Sequence, residues 1–192
     1  MKILLTLFVL LFSSSVLAED IADFEIEGMS IGDSLLDYFS KSKINNSETT
    51  IYPNSDKYFD INLIPEKESK YENYVFAVKK NDKKYIIKTL SGMNYFENEI
   101  NKCKEFKNSV IKEIQSLFSN SEKSDYEFIY EKVADGKSIA FITDFIIELG
   151  VIRVYCIKWS NATKKEIGFR DSFSIDIDTQ EHLNWLNNEV WK

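Results

Sequence analysis

From Glu97 to Phe118 the apolar residues Ile100, Cys103, Phe106, Val110, Ile114 and Leu117 recur at steps of three or four. Lys102, Lys104, Glu105, Lys107, Lys112 and Glu113 fill the positions between them. That period lays the apolar residues along one stripe of an α-helix. A stripe of this length is unfavourable in water, so the rest of the chain must offer an apolar surface to receive it. The surface is expected from period-two runs elsewhere: Tyr58–Leu63, Tyr74–Val78, Tyr85–Leu90, Ile139–Ile147, Val151–Trp159 and Ser172–Ile177 all read as β-strands. In Ile139–Ile147 the odd-numbered Ile139, Phe141, Phe145 and Ile147 share a face; in Val151–Trp159 the even-numbered Ile152, Val154 and Cys156 do. Glu148-Leu149-Gly150 is short enough to join these runs as an antiparallel hairpin. The Lys79–Lys84 segment, with Asn81-Asp82 at its centre, does the same for the pair before the helix. Its lysines read as a solvated turn that discourages further strand pairing.

Weaker patterns complete the chain. Asp23–Glu27 alternates as a short strand, and Gly28–Asp33 turns. Ser30 and Asp33 have the spacing of a capping box, opening a helix that carries Ile31, Leu35, Tyr38 and Phe39 to about Ser42. The polar stretches Lys43–Ser55 and Ser160–Glu166 read as loops, and Tyr126–Tyr130 as a strand. A last helix opens at Asp178-Thr179-Gln180-Glu181 and carries Leu183, Leu186, Val190 and Trp191, with Asp178 as its expected cap and Glu181 as reciprocal partner. The expectation is an α+β fold: an antiparallel sheet with one long amphipathic helix packed on one face and short flanking helices. Residues 19–192 are enough for a single domain of this kind.

Residues 1–18 read as a signal peptide. Lys2 precedes the apolar run Ile3–Phe12, and Ser13-Ser14-Ser15-Val16-Leu17-Ala18 provides a small-residue cleavage site after Ala18. The run breaks into serine well before the roughly 20 apolar residues that a membrane span needs. The most apolar later stretch, Ile139–Ile157, is interrupted by Asp144, Glu148 and Arg153, so no membrane span is expected after cleavage. A cation inventory almost entirely of lysine, with Arg153 and Arg170 the only arginines, accompanies abundant Asn and Ile. That bias suits an AT-rich bacterial genome, which makes the expected location periplasmic or secreted. In such an oxidising compartment Cys103, on the helix stripe, and Cys156, on the apolar face of its strand, are expected to form a disulfide; separate buried thiols are the alternative.

Charge and composition narrow the function. A net charge of −7 with no basic block argues against nucleic-acid binding. One histidine and two cysteines cannot make the usual four-ligand zinc site without carboxylates. His182 lies near Asp176 and Asp178, so these residues are the alternative metal or hydrolase site. No Gly-x-Ser-x-Gly elbow is present, and Lys79–Lys84 lacks the glycines of a phosphate loop. No cofactor is expected. The aromatic residues Tyr71, Tyr74, Tyr85, Tyr126, Tyr130, Tyr155 and Trp159 fall in or beside strands. Among them Tyr155 and Trp159 alternate with Arg153 on the strand face opposite Cys156, and these three form the candidate ligand or partner surface. Simple cross-strand aromatic pairing is the alternative. The expected role is a non-enzymatic binding or accessory module whose partner is an envelope protein or a small ligand.

Two resemblances accompany this reading. Phe24–Leu36, the helix entry Tyr95-Phe96-Glu97-Asn98 and the placement of Cys156 ahead of Trp159-Ser160 resemble small exported proteins of AT-rich marine bacteria of the alphaproteobacterial type. That group has no assigned activity, so the resemblance implies an address and no mechanism. The Gly28-Met29-Ser30 turn before a short helix is also similar to the small lipoprotein of the outer-membrane β-barrel assembly machinery and to β-lactamase-inhibitor-like folds. This second resemblance implies a non-enzymatic interaction module.

Overall fold

The computed structural model describes residues 20–191. The expected signal peptide, with its cleavage point after Ala18, lies outside them. The strands are β1 (Glu48–Ile51), β2 (Tyr58–Leu63), β3 (Asn73–Lys79), β4 (Ile87–Tyr95), β5 (Glu122–Ile129), β6 (Ile139–Ile147), β7 (Gly150–Lys158) and β8 (Ser172–Thr179). The helices are α1 (Lys41–Asn46), α2 (Ile100–Leu117), α3 (Asn161–Ile167) and α4 (Gln180–Trp185). All the strands join one antiparallel sheet in the order β1-β2-β3-β4-β8-β7-β6-β5. Helix α2 carries the chain from β4 to the opposite edge at β5. The second meander then returns until β8 pairs with β4, setting Leu90 opposite Ile177 and Gly92 opposite Ile175.

This architecture corrects the α+β expectation. Among the described residues the sheet has eight strands and dominates, with 38% of them in strands and bridges against 28% in helices. The long helix is present, but α1 and α3 are short, and α4 continues as a π-helical segment over Leu186–Val190. The difference arises mainly at the edges. β1 lies inside the stretch read as a loop, and β5 is longer than the alternating run Tyr126–Tyr130. Both are exposed on both faces. An edge strand with two wet faces has no need of apolar alternation, so periodicity does not reveal it. At the N-terminus the expected strand at Asp23–Glu27 and the helix after Ser30 are replaced by 3-10 turns at Ile21–Asp23 and Leu35–Asp37. Asp33 does accept a hydrogen bond from the Ser30 backbone N–H at 2.9 Å, but it closes a turn instead of starting a helix. The expected loop after Ser160 is α3, capped by the Ser160 hydroxyl, which accepts from Thr163 N–H at 3.1 Å.

One face of the sheet holds the main core. Phe76, Val78, Leu90, Phe145, Ile152, Val154, Phe173, Ile175 and Ile177 point into it, covered by Phe24, Ile26, Leu35 and Ile44 of the N-terminal segment and by α2. Helix α2 buries Cys103, Val110, Ile111 and Ile114 there. Leu117, expected on the stripe, is about half exposed, and Lys107 is buried in its stead. Burial lowers the pKa of that ammonium, opposed by the charge of nearby Asp125. The expected disulfide between Cys103 and Cys156 is formed, bridging α2 to β7 with a Cα–Cα distance of 6.1 Å. No helix among the described residues is long and apolar enough to cross a membrane.

The opposite face is covered only in part. At one side Trp185 and Val190 of the C-terminal segment pack on Tyr58. At the other, Ala140, Ile142 and Ile157 form a smaller cluster with Tyr130, Tyr155 and Trp159.

Candidate partner-binding face

Strand β7 is the axis of the candidate site. Ile152, Val154 and Cys156 point toward α2, so Arg153 and Tyr155 must project from the other face. The register sets Arg153 between Asp144 of β6 and Asp176 of β8, and Tyr155 between Ile142 and Ser174. Arg153 is held by a two-point pair with Asp144: Nε donates to Oδ1 and Nη2 to Oδ2, both at 2.8 Å. Tyr126 of β5 adds its hydroxyl to Asp144 Oδ2 at 3.0 Å. The hydrogen bond from Arg153 to Asp144 raises the guanidinium pKa further, so this cation is fixed in charge and in orientation.

Asp176 accepts a hydrogen bond from the Ser174 hydroxyl at 2.5 Å. Desolvation pushes its carboxyl above the usual range, against the pull of the Ser174 hydrogen bond. Burial likewise pushes the Tyr155 phenol well up, with the charge of Asp176 adding to the effect. The centre of the face is thus a polar floor with its charges tied within the protein.

Trp159 follows the end of β7. Its backbone N–H donates to Asp171 Oδ1 at 2.8 Å, and Asp171, only 1% exposed, also pairs with Lys164 at 2.8 Å. The next residue, Ser160, accepts from Thr163 N–H and donates to Asp135 at 2.5 Å. These bonds hold the start of α3 against the loop after β5. The Trp159 ring lies 4.6 Å from Phe169 and 5.0 Å from Tyr130, and Tyr130 lies 5.0 Å from Phe128. The result is a connected row of rings, Phe128–Tyr130–Trp159–Phe169, whose end members are 50% and 43% exposed. Beside it a depression of about 550 Å³ is lined by Trp159, Lys137, Lys158 and Asn161.

Arg153, Tyr155 and Trp159 lie on the face opposite Cys156, as the alternation predicts, but they do not act alike. Arg153 and Tyr155 belong to the floor, while Trp159 is the hub of the exposed row. Phe128 and Phe169 were not among the expected residues. Phe128 alternates with Tyr126 along β5 and was detectable that way; Phe169 follows Gly168 in a loop and carries no local signal. Of the other aromatic candidates, Tyr71 and Tyr74 lie in the main core.

Of the alternative trio, the structure brings two residues, His182 and Asp178, into direct contact. His182 is 3% exposed, and its Nδ1 lies 2.7 Å from Asp178 Oδ1. Its ring sits 5.2 Å from Tyr58 and 5.1 Å from Trp185, and its Nε2 has no hydrogen-bond partner among the described residues. Asp176 is bonded to Ser174 instead of to this pair. No group of three His, Cys, Asp or Glu side chains among the described residues is arranged to hold a metal ion. The cap of α4 is Thr179, not Asp178: the Thr179 hydroxyl accepts from His182 N–H at 3.2 Å. Asp178 orients the imidazole, and Glu181 accepts from the Tyr58 hydroxyl at 2.8 Å while pairing with Lys79 at 2.9 Å.

Comparison with protein families, with curated proteins and with solved structures finds no match to this chain.

Proposed function

We propose that the protein is an exported, non-enzymatic binding module that engages an envelope partner through the aromatic row centred on Trp159. The observation that carries this reading is the row itself: its end rings are exposed, yet Trp159 is held by the buried Asp171. Exposed aromatic groups on a rigid support provide contact area with little entropy left to lose on binding. The polar floor beside it, where Arg153 is tied to Asp144, supplies orientation instead of a free reactive group. Export is supported by the basic-then-apolar start of the chain and by the Cys103–Cys156 bond, which suits an oxidising compartment.

Capture from an envelope extract tests the reading. A partner retained by the wild-type protein should bind roughly thirtyfold more weakly to a Trp159→Ala/Phe169→Ala variant, equivalent to removing a hot spot of about 2 kcal/mol. Asp178→Asn, which perturbs the His182 pair and not the row, should retain it. Equal retention by wild type and the double variant would reject the proposal.

A further inference from the structure

The depression beside Trp159 carries charge of the opposite sign to the chain as a whole. The protein has a net charge of −7, yet Lys137, Lys158 and Lys164 line this one depression against Asp135 and Asp171. β7 sets Lys158 opposite Ile139, and Lys137 precedes that residue by two, so both lysines come to the same end of the sheet. The three cations are not equivalent. Lys164 is already engaged: its Nζ pairs with the buried Asp171 at 2.8 Å and donates to the Asn98 side chain at 2.9 Å. Lys137 and Lys158 are exposed, and neither enters an ion pair among the described residues. Asp135 is the remaining carboxylate. It accepts from the Ser160 hydroxyl at 2.5 Å and from the Lys137 backbone N–H at 3.3 Å, and the Ser160 bond lowers its pKa. With Lys164 and Asp171 cancelling, two free ammonium groups face one carboxylate that the loop already uses.

The surroundings restrict the kind of anion that fits. Trp159 lines the depression and is also the hub of the aromatic row, with Phe169 4.6 Å from it. An anionic group held by the lysines therefore has exposed aromatic surface next to it, which a bare inorganic ion would leave unused. Asn161, exposed at the first position of α3, adds an amide that both donates and accepts, as a peptide group requires. The far end of the row differs: the depression at Phe128 is lined by Glu127 and Glu131 against Lys132. Negative charge is favoured at the Trp159 end and opposed at the Phe128 end, which gives the occupant a direction as well as a charge. A nucleic acid would need a longer basic track than two lysines.

We infer that Lys137 and Lys158 receive a carboxylate from an acidic segment of the partner protein, whose adjoining apolar side chains lie on the row at Trp159 and Phe169. This rests on the binding-module reading and specifies the chemistry of its partner.

Titration calorimetry tests the inference with three short peptides blocked at both ends. The first has two glutamates, a serine and two phenylalanines; the second has lysines in place of the glutamates; the third has serines in place of the phenylalanines. The first should bind about tenfold more tightly than either of the others. Lys137→Ala/Lys158→Ala should weaken it about tenfold at low salt and remove most of its salt dependence between about 20 and about 200 mM. Lys137→Glu/Lys158→Glu should reverse the preference between the glutamate and lysine peptides, a reversal that damage to the fold would not produce. Absence of binding by the first peptide up to about 1 mM, the weak end of specific recognition, would overturn the inference. So would equal binding of the lysine peptide, binding unchanged in the alanine variant, or a dimer in sedimentation that the alanine variant abolishes. Phosphatidylglycerol vesicles or heparin held by these lysines in place of the peptide would also overturn it. If the first peptide fails while envelope capture still depends on Trp159 and Phe169, the acidic segment is wrong and the binding face stands. If capture no longer depends on them, the face itself is wrong.

Discussion

Asp60, on β2, accepts hydrogen bonds from the Tyr52 hydroxyl at both oxygens, at 3.0 and 2.8 Å. Burial pushes its pKa up to about 6, with Tyr52 and His182 opposing that rise and the charges of Asp178 and Asp176 reinforcing it. A carboxyl with a higher pKa in the folded state binds its proton more tightly there than in the unfolded chain. The stabilisation is therefore complete below the ordinary value of 3.8 and is lost as pH rises through about 6. Asp60→Asn should flatten that decline and, near neutral pH, raise stability on the order of 2 kcal/mol relative to wild type. Urea midpoints measured across the acid range check this. Glu181 has the opposite sign: Lys79 and then Tyr58 lower its pKa to about 2, so its contribution is lost only as pH falls through that value. None of this was legible in the sequence, where Asp60 is one polar position in an alternating strand. Its environment is made by Tyr52 and by a helix more than a hundred residues away in the chain.

At the scale of elements, the link between α2 and β7 should dominate. Cys103 and Cys156 are separated by 53 residues, and closing a loop of that length removes about 4 kcal/mol of unfolded-state freedom by the chain-entropy estimate. Replacing both with serine should lower stability by about that amount, seen as a reduced denaturant midpoint with α2 the first segment to lose exchange protection. Elements with a buried face were readable. Phe145 on β6 and Ile152 on β7 alternate because one side of each strand is dry, and the steps of three and four in α2 reflect the same cause in a helix. β1, much of β5 and α3 were not readable, because wet surroundings impose no period on Thr49, Lys123 or Lys165. The last turn of α2 shows a further limit: Leu117 lies on the expected stripe yet is 48% exposed, while the adjacent Phe118 is buried in the main core.

At the scale of the whole molecule, the two faces of one sheet have different roles. The main core supports the fold, and a small second cluster of Tyr58, Trp185 and Val190 clamps the C-terminal segment on the other face. Trp185 is 2% exposed, donates its indole N–H to Ser55 at 2.8 Å and lies 4.7 Å from the Tyr58 ring. Trp185→Ala should cost about 4 kcal/mol and release α4, with loss of near-ultraviolet dichroism from Tyr52 and Tyr58 while the far-ultraviolet sheet signal persists. A denaturation series with both signals followed together checks it. The sequence by itself determined the central strands, the long helix, the facing of both cysteines and the side of β7 that carries Arg153 and Tyr155. Those follow from local period, which burial of one face imposes on nearby residues. Tertiary structure alone decided that eight strands share one sheet, that Phe169 joins Trp159, and that His182 is enclosed by Tyr58 and Trp185. These depend on strand order and long-range packing, which bring distant segments together without leaving a repeating mark on any of them.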